Sequence, residues 1–389
     1  MGIKTFVKKG IILFLLSIII FNSCLLESYA SNKNITFNNL NIEQGISQST
    51  AEIIFQDSKG YIWIGTSDGL NRYNGYEYKI YNYEEGKNSI SHNGITDITE
   101  DDDGYIWVAT VQGMNKINPD TDEIKNYTEE NGKIKTDSTS EVIKTQDNKM
   151  IVATYEGLSI YNEEKDCFEV VLDEDNGLMT NMIYSLDEDK HGNIWLGTDL
   201  GAHKISKDFK ILETYGGEEE KNSLVEDSVY NMYCDDKRDL VWIGTANSGV
   251  FKLNTKTNEI KQYKNDPNDD KSLPSNQIGE TLRDKNGDLW IGTDGGLAYY
   301  NEKEDNFDIY KNKIYDKNSL VYDNIKSIIQ DKEGIMWIGT YSGISIFDTN
   351  SSIKHYKAGE DDDYLLNENM VHGVYEDSDG YLWVGSKLK

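Results

Sequence analysis

Hard oxygen ligands are the most conspicuous chemistry in this chain. Aspartate recurs in the phrase Asp-x-x-Gly, and the runs Asp101-Asp102-Asp103 and Asp361-Asp362-Asp363 set three carboxylates side by side. Donors of that kind suit Ca2+, but neither EF-hand nor nonapeptide spacing accompanies them. Tight turns and solvated charge account for them better, so no metal site is expected. Softer ligands are scattered: His92, His191, His203, His355 and His372 fall in different repeats without paired spacing. Arg72, Arg238 and Arg283 are the only arginines, too few for the carboxylate grip of a sialidase-like enzyme. A lyase would need a base such as His or Tyr beside a metal or cationic anchor. His203 and the many tyrosines leave that open, yet no constellation points to it. No catalytic residue and no cofactor is assigned, and the chain is read as non-catalytic.

The aspartates belong to a longer phrase, Asp-x-x-Gly-x-hydrophobic-Trp-hydrophobic-Gly-Thr followed by two or three residues, Gly and a hydrophobic residue. It begins at Asp57, Asp101, Asp189, Asp236, Asp284, Asp331 and Asp377 and carries all seven tryptophans: Trp63, Trp107, Trp195, Trp242, Trp290, Trp337 and Trp383. An eighth copy has Ile151 in the tryptophan's place. The eight positions are separated by 44, 44, 44, 47, 48, 47 and 46 residues, and periods in the forties with β-type content are those of propeller blades. Each repeat reads as four strands: an apolar segment before the aspartate, the Trp strand, a strand after the glycine and a tyrosine-rich strand. The run Tyr61-Ile62-Trp63-Ile64 is apolar on both faces, so each sheet is expected to be buried between two neighbours.

The expected fold is therefore all-β: a seven-bladed β-propeller of four-stranded antiparallel blades, with the start of an eighth repeat. Residues 35–40 read as a lone outer strand that closes the last blade. Aspartate oxygens should hold the turns, and Asp239, where the fifth copy lacks its glycine, should take a left-handed backbone. Ile151 forfeits part of a tryptophan's burial, which makes the third blade the weak one.

In such a ring the Thr-x-x-Gly turns share one end with the long connections between blades. Asp68, Gln112, Tyr155, Glu156, Asp199, Asn247, Asp294 and Tyr341 stand in those turns around one rim. Polar and aromatic groups on rigid loops are what a binding site requires. This mixture suits a neutral, hydroxyl-rich small molecule, such as an oligosaccharide, better than an anion.

Net charge is -29 at pH 7, which excludes the basic footprint of nucleic-acid binding. Lys4, Lys8 and Lys9, an apolar core over residues 11–21 and Ser28-Tyr29-Ala30 read as a signal peptide over residues 1–30, so the protein should be exported and extracytoplasmic. Cys24 is a poorer candidate, as a lipidated residue. Cys167 and Cys234 lie in different repeats with no spacing that supports a disulfide. The propeller is expected over residues 31–356, and residues 357–389 read as an incomplete eighth repeat that opens a second propeller.

On these motifs the chain resembles the two-component regulator propeller family; the stretch SLVYDNIKSIIQDKEGIMWIGTYSGISIF from Ser319 follows the family's unit throughout. The resemblance implies an extracytoplasmic sensor region, ahead of a membrane helix and a cytoplasmic histidine kinase or diguanylate cyclase. It implies a small-molecule or oligosaccharide ligand, membrane attachment through a C-terminal region that this sequence lacks, and a homodimer in the full receptor. Two other readings compete with it: an exported scaffold for protein or glycan binding, and a propeller-fold lyase or glycosidase.

Overall fold

The structure is a computed structural model that describes residues 35–40, 45–216, 227–349, 371–376 and 382–386. The signal peptide, Cys24 and the Asp361-Asp362-Asp363 run lie outside the described residues.

Seven four-stranded antiparallel sheets follow one another through residues 53–348, and each begins with its innermost strand. Blade one is Ile53–Gln56, Ile62–Thr66, Gly69–Tyr73 and Tyr78–Tyr81. The innermost strands of blades two to seven are Ile95–Glu100, Thr139–Lys144, Ile183–Glu188, Val229–Asp235, Ile278–Arg283 and Ile325–Gln330. Blade seven takes its outer strand from the other end of the chain: Asn38–Leu40 pairs antiparallel with Gly343–Asp348, setting Asn39 opposite Ser345. Residues 371–376 and 382–386 pair as a separate two-stranded sheet, the first half of an eighth repeat.

Every second strand of the ring is buried along its Trp-x-Gly-Thr stretch, so both faces are covered as their sequence requires. The ring's apolar interior is seven clusters, each lying between two blades. Trp63 packs with Ile95, Ile98, Ile106 and Val108 of blade two. Trp337 does the same against Ile54 and Ile64 of blade one and so closes the circle. Neighbouring sheets approach most closely at the motif glycines. A Cβ on Gly65 would come within 2.6 Å of the Ile95 side chain, and one on Gly292 within 2.5 Å of Ile325. Only hydrogen, or the methyl of Ala109 and Ala153, leaves room for the next blade.

The turn aspartates do two jobs. Asp57 Oδ1 accepts the backbone N–H of Lys59 at 3.0 Å and of Tyr61 at 2.9 Å, while its Oδ2 accepts the Trp63 indole N–H at 2.8 Å. The same indole bond recurs at Asp101, Asp189, Asp284 and Asp331, at 2.8 to 3.4 Å. In blades one, two and four the indole also lies over the last tyrosine of its own blade, Trp63 over Tyr81, Trp107 over Tyr127 and Trp195 over Tyr215, with centroids 5.5 to 5.7 Å apart; Trp337, whose outer strand has no tyrosine, meets Tyr73 of blade one instead.

Two blades depart from this pattern. In blade three both aromatic partners become aliphatic, Ile151 and Leu172 sharing one cluster, and Asn148 takes the positive-φ turn position. In blade five the turn begins at Asp235 rather than Asp236, because an extra residue separates the carboxylate from Trp242. Asp239 is left-handed there, with φ 55°, as expected. Asp235 then bonds Arg283 at 2.7 Å, and the buried Trp242 N–H is left without an acceptor. Trp383 departs differently: it is 63% exposed, against 8% or less for the six ring tryptophans.

Trp63→Phe and Trp242→Phe remove the same ring, but only the first strands a buried carboxylate oxygen. Trp63→Phe should cost about 1–2 kcal/mol more, read from urea or thermal melts; equal losses would mean the indole bond is not what holds the blade. Because blade seven is complete by Asp348, ending the chain at Ala358 should leave the thermal midpoint within about 2 °C of the parent.

Candidate functional site

Thr-x-x-Gly turns give one end of the ring a fixed frame. Thr66 Oγ1 donates to the carbonyl of Gly69 at 2.8 Å and accepts the Asp68 N–H at 3.0 Å, and the other blades repeat the pattern. The residue after the threonine bonds the incoming connection: the N–H groups of Val111, Tyr155, Asp199, Asp294 and Tyr341 donate to carbonyls of Gly94, Ser138, Met182, Gln277 and Asn324. Two positions are therefore distinct, and the rim residues singled out from sequence fall into both. Tyr155, Asp199, Asp294 and Tyr341 hold the first, whereas Asp68, Gln112, Glu156 and Asn247 hold the second.

Only the first position reaches the axis. A funnel of about 540 Å3 opens at the mouth of the central channel, and Ser67, Val111, Tyr155 and Asp294 line it from the turns. No second-position residue does. Those are engaged along the rim: Asp68 accepts the Asn93 amide at 3.1 Å, Glu156 lies 3.7 Å from Lys135, and Asn247 bonds Asp227 at 2.9 and 3.1 Å. Asp199 accepts the hydroxyls of Ser228, at 2.8 Å, and Tyr184, at 3.4 Å. Tyr341 stacks obliquely on Tyr322, with centroids 6.1 Å apart.

Beside residues of the incoming connections, the funnel is lined from a position the sequence reading did not single out, five residues before each turn aspartate on the innermost strand. Glu52, Thr96, Ser140, Tyr230 and Lys326 stand there in the lining. The signal for them was a polar or aromatic residue recurring at one fixed place in an otherwise apolar segment. Lys326 Nζ lies 3.9 Å from Glu52, bridging blades seven and one. Tyr184, also at this position, packs edge-on between Tyr155 and Tyr230 at 5.9 and 5.1 Å, making an aromatic wall across blades three to five. Tyr155 and Tyr230 remain 45% and 42% exposed, available to a ligand.

One residue deeper, the innermost strands present a ring of polar groups. An innermost strand is a sheet edge, so its N–H groups need acceptors from the blade before it. Asp97 accepts the Val142 N–H at 2.7 Å, Glu141 that of Leu186 at 2.7 Å, and Ser327 that of Ile54 at 3.1 Å. Glu280 accepts the Asn231 amide at 3.0 Å, and Asp187, two residues on in its own strand, accepts the Cys234 N–H at 2.6 Å. Protein surrounds these carboxyls, although Glu141, Asp187 and Glu280 keep some accessible area, as groups lining a narrow channel do. Burial pushes Asp97 up to about 7, Asp187 to about 6 and Glu280 to about 8. Glu141 is likewise raised by burial, with Asp97 and Glu280 nearby adding to it.

His203 is not a candidate base. It is fully buried between blades, its Nδ1 3.0 Å from Thr214 Oγ1, and burial lowers it to about 4. Arg238 and Arg283 bind Asp235 and Glu302 at the aspartate-turn end, away from the funnel. Cys167 and Cys234 are free thiols.

Six segments of the chain, residues 45–68, 89–112, 177–199, 272–295, 319–342 and 365–387, match the sequence model described as two component regulator propeller. Histidine kinase P4 of Formosa agariphila is 41% identical over 76 residues, which is 19% of this chain and 6% of that protein. Among solved structures, the extracellular domain of a proposed hybrid two component system of B. thetaiotaomicron is 25% identical at a TM-score of 0.66, covering 90% of this chain and 44% of that one. A second such extracellular domain from B. thetaiotaomicron is 23% identical at a TM-score of 0.72, over 90% and 47%. The chain thus spans about half the length of these solved relatives.

The buried groups set a pH dependence. Folding depresses His203, so stability is lost as pH falls from about 6.5 toward 4; folding raises Asp97 and Glu280, so their stabilisation is lost as pH rises through 7 and 8. Above pH 6.5 only the carboxyl effect remains. The thermal midpoint should therefore fall between pH 6.5 and 8.5, by a free energy on the order of 1–3 kcal/mol, and Glu280→Gln should flatten that slope. A midpoint that rises across this interval would contradict the assignment.

Proposed function

Two component regulator propeller repeats build this chain, and from that premise we propose that it is the ligand-sensing input region of an extracytoplasmic signal-transduction receptor. The propeller binds and does not itself react. Its ligand sits in the axial funnel, and the receptor's output is a histidine kinase or diguanylate cyclase. The observation that carries this reading is the funnel: turns of four blades open onto one cavity of about 540 Å3, walled by Tyr155 and Tyr230 and lined by hydroxyl, amide and carboxyl groups.

Funnel size and lining match what small-molecule sites use, an aromatic surface with a few placed polar groups. Exposed tyrosines on a rigid frame give contact area at little entropic cost. Ser67, Thr96, Ser140, Gln277 and Asn324 supply the donors and acceptors that a hydroxyl-rich molecule such as an oligosaccharide requires. A lyase or glycosidase reading has less support, since His203, the one buried histidine among the described residues, sits between blades and not in the funnel.

A thermal-shift screen of the full chain against glycans, peptides and small metabolites, followed by calorimetry, tests the reading. Tyr155→Ala and Tyr230→Ala should each weaken the ligand found by about tenfold, the usual loss for an aromatic anchor. Gln112→Ala, at the second turn position, should leave affinity within about twofold. Binding that survives both tyrosine substitutions would place the site elsewhere.

A further inference from the structure

One residue on from the funnel lining, the innermost strands set a ring of polar groups around the axis, here called the throat, and its chemistry is one-sided. Asp97, Glu141 and Glu280 occupy the same register position on three innermost strands, and Asp187 joins them two residues on in blade four. Among the described residues no lysine, arginine or histidine forms an ion pair with any of the four, and the charged groups that act most on Glu141 and Glu280 are the other carboxyls. Lys326, in the funnel above, is turned to Glu52. The throat also holds acceptors with nothing to accept. Asn231, 7% exposed, gives its amide N–H to Glu280, and its Oδ1 has no donor; Ser185 Oγ, at the same register in blade four, has no partner either. Oxygen acceptors are thus in excess at a place where the fold supplies no cation.

We propose that this throat is the subsite for an ammonium group, so that the funnel's ligand is an amine-bearing, hydroxyl-rich molecule of amino-sugar type, its charged nitrogen held by Glu280, Asn231 Oδ1 and Glu141 and its body against the tyrosine wall. The inference rests on the sensing reading above and changes its ligand from neutral to cationic. An ammonium brings three donors and one positive charge, the complement of what the throat lacks. In a narrow, protein-walled channel such a charge-assisted contact is stronger than in water. Tyrosine faces at the channel mouth favour a cation on its way in. Burial raises Glu280 to about 8, so at neutral pH it holds a proton, which the incoming ammonium displaces to solvent. Binding should therefore release protons and tighten as pH rises from about 5.5 to about 6.5, below the range in which a sugar amine loses its own proton.

Calorimetry of the full chain at about pH 6.5, where the sugar amines are mostly protonated, with the glucosamine trisaccharide and with its N-acetylated counterpart tests this, because the two then differ chiefly in charge. The amine form should bind at least about tenfold more tightly, with a heat that varies with the buffer's ionisation enthalpy. Glu280→Gln and Glu141→Gln, which keep the size of the side chain, should each bring the two sugars to within about twofold; their thermal midpoints report that the ring is intact. Equal binding of the two sugars, an amine preference that survives both substitutions, or no binding of either sugar would overturn the proposal. So would a signal from calcium chloride alone that both substitutions abolish while the amine preference is absent, which would assign the throat to an inorganic cation. If the amine preference fails while a neutral glycan still binds and Tyr155→Ala weakens it, the throat assignment falls and the sensing funnel stands. If no glycan, peptide or metabolite binds, the funnel reading falls with it.

Discussion

One carboxylate per blade governs the rest of the ring. In five of the seven blades an aspartate closes a tight turn with one oxygen and holds an indole N–H with the other, so backbone geometry and core packing are fixed by the same side chain. The indole can then be buried between blades without leaving its polar atom unpaired, which would otherwise cost about 1–3 kcal/mol. Trp63 lies over the tyrosine that ends its own blade and packs against the strands of the next, as Trp107 and Trp195 do, so the strand spacing of one sheet sets its distance to its neighbour. Blade five shows what happens when the aspartate moves away by one residue: arginine takes the carboxylate, and the indole keeps its burial without its bond.

The axial site follows from the same geometry. Arranging seven sheets around an axis turns each innermost strand into an unpaired edge, and the edge N–H groups must find acceptors. Side chains of the preceding blade supply them, which is why Asp97, Glu141 and Ser327 point along the ring rather than into solvent. The polar lining of the channel is therefore first a structural answer to the edge problem, and the chemistry of the throat comes from answering it with the acids Asp97, Glu141 and Asp187 where Ser327 serves blade one. Above it, the alternation of the strand turns the adjacent residue into the funnel.

How much of this was legible in the sequence differs by level. The blades, their number, the closing role of residues 35–40 and the left-handed Asp239 were readable because they depend on local spacing and on backbone preferences that single residues carry. The fifth turn was misplaced by one residue, since Asp235 and Asp236 both satisfy the motif and only pairing with Leu240 distinguishes them. At the rim, the end of the ring was readable but the depth was not: Tyr155 and Glu156 are neighbours in sequence, yet one lines the funnel and the other meets Lys135. Glu52, Tyr184, Tyr230 and Lys326 were missed because their convergence is a property of the closed circle. No window of one repeat contains it.

The pairing of Asn38–Leu40 with Gly343–Asp348 has a consequence in time as well as in space. Three residue pairs, joining positions about three hundred residues apart, are all that close the last sheet on its outer side. Blades one to six are each complete as soon as their own forty-odd residues have been made, whereas the seventh must wait for both ends of the ring. Bringing such distant partners together is the slow, entropically costly step of assembly. An arc of six finished blades with two bare flanks would thus precede the closed ring, and this short seam is where a fluctuation would most readily reopen it.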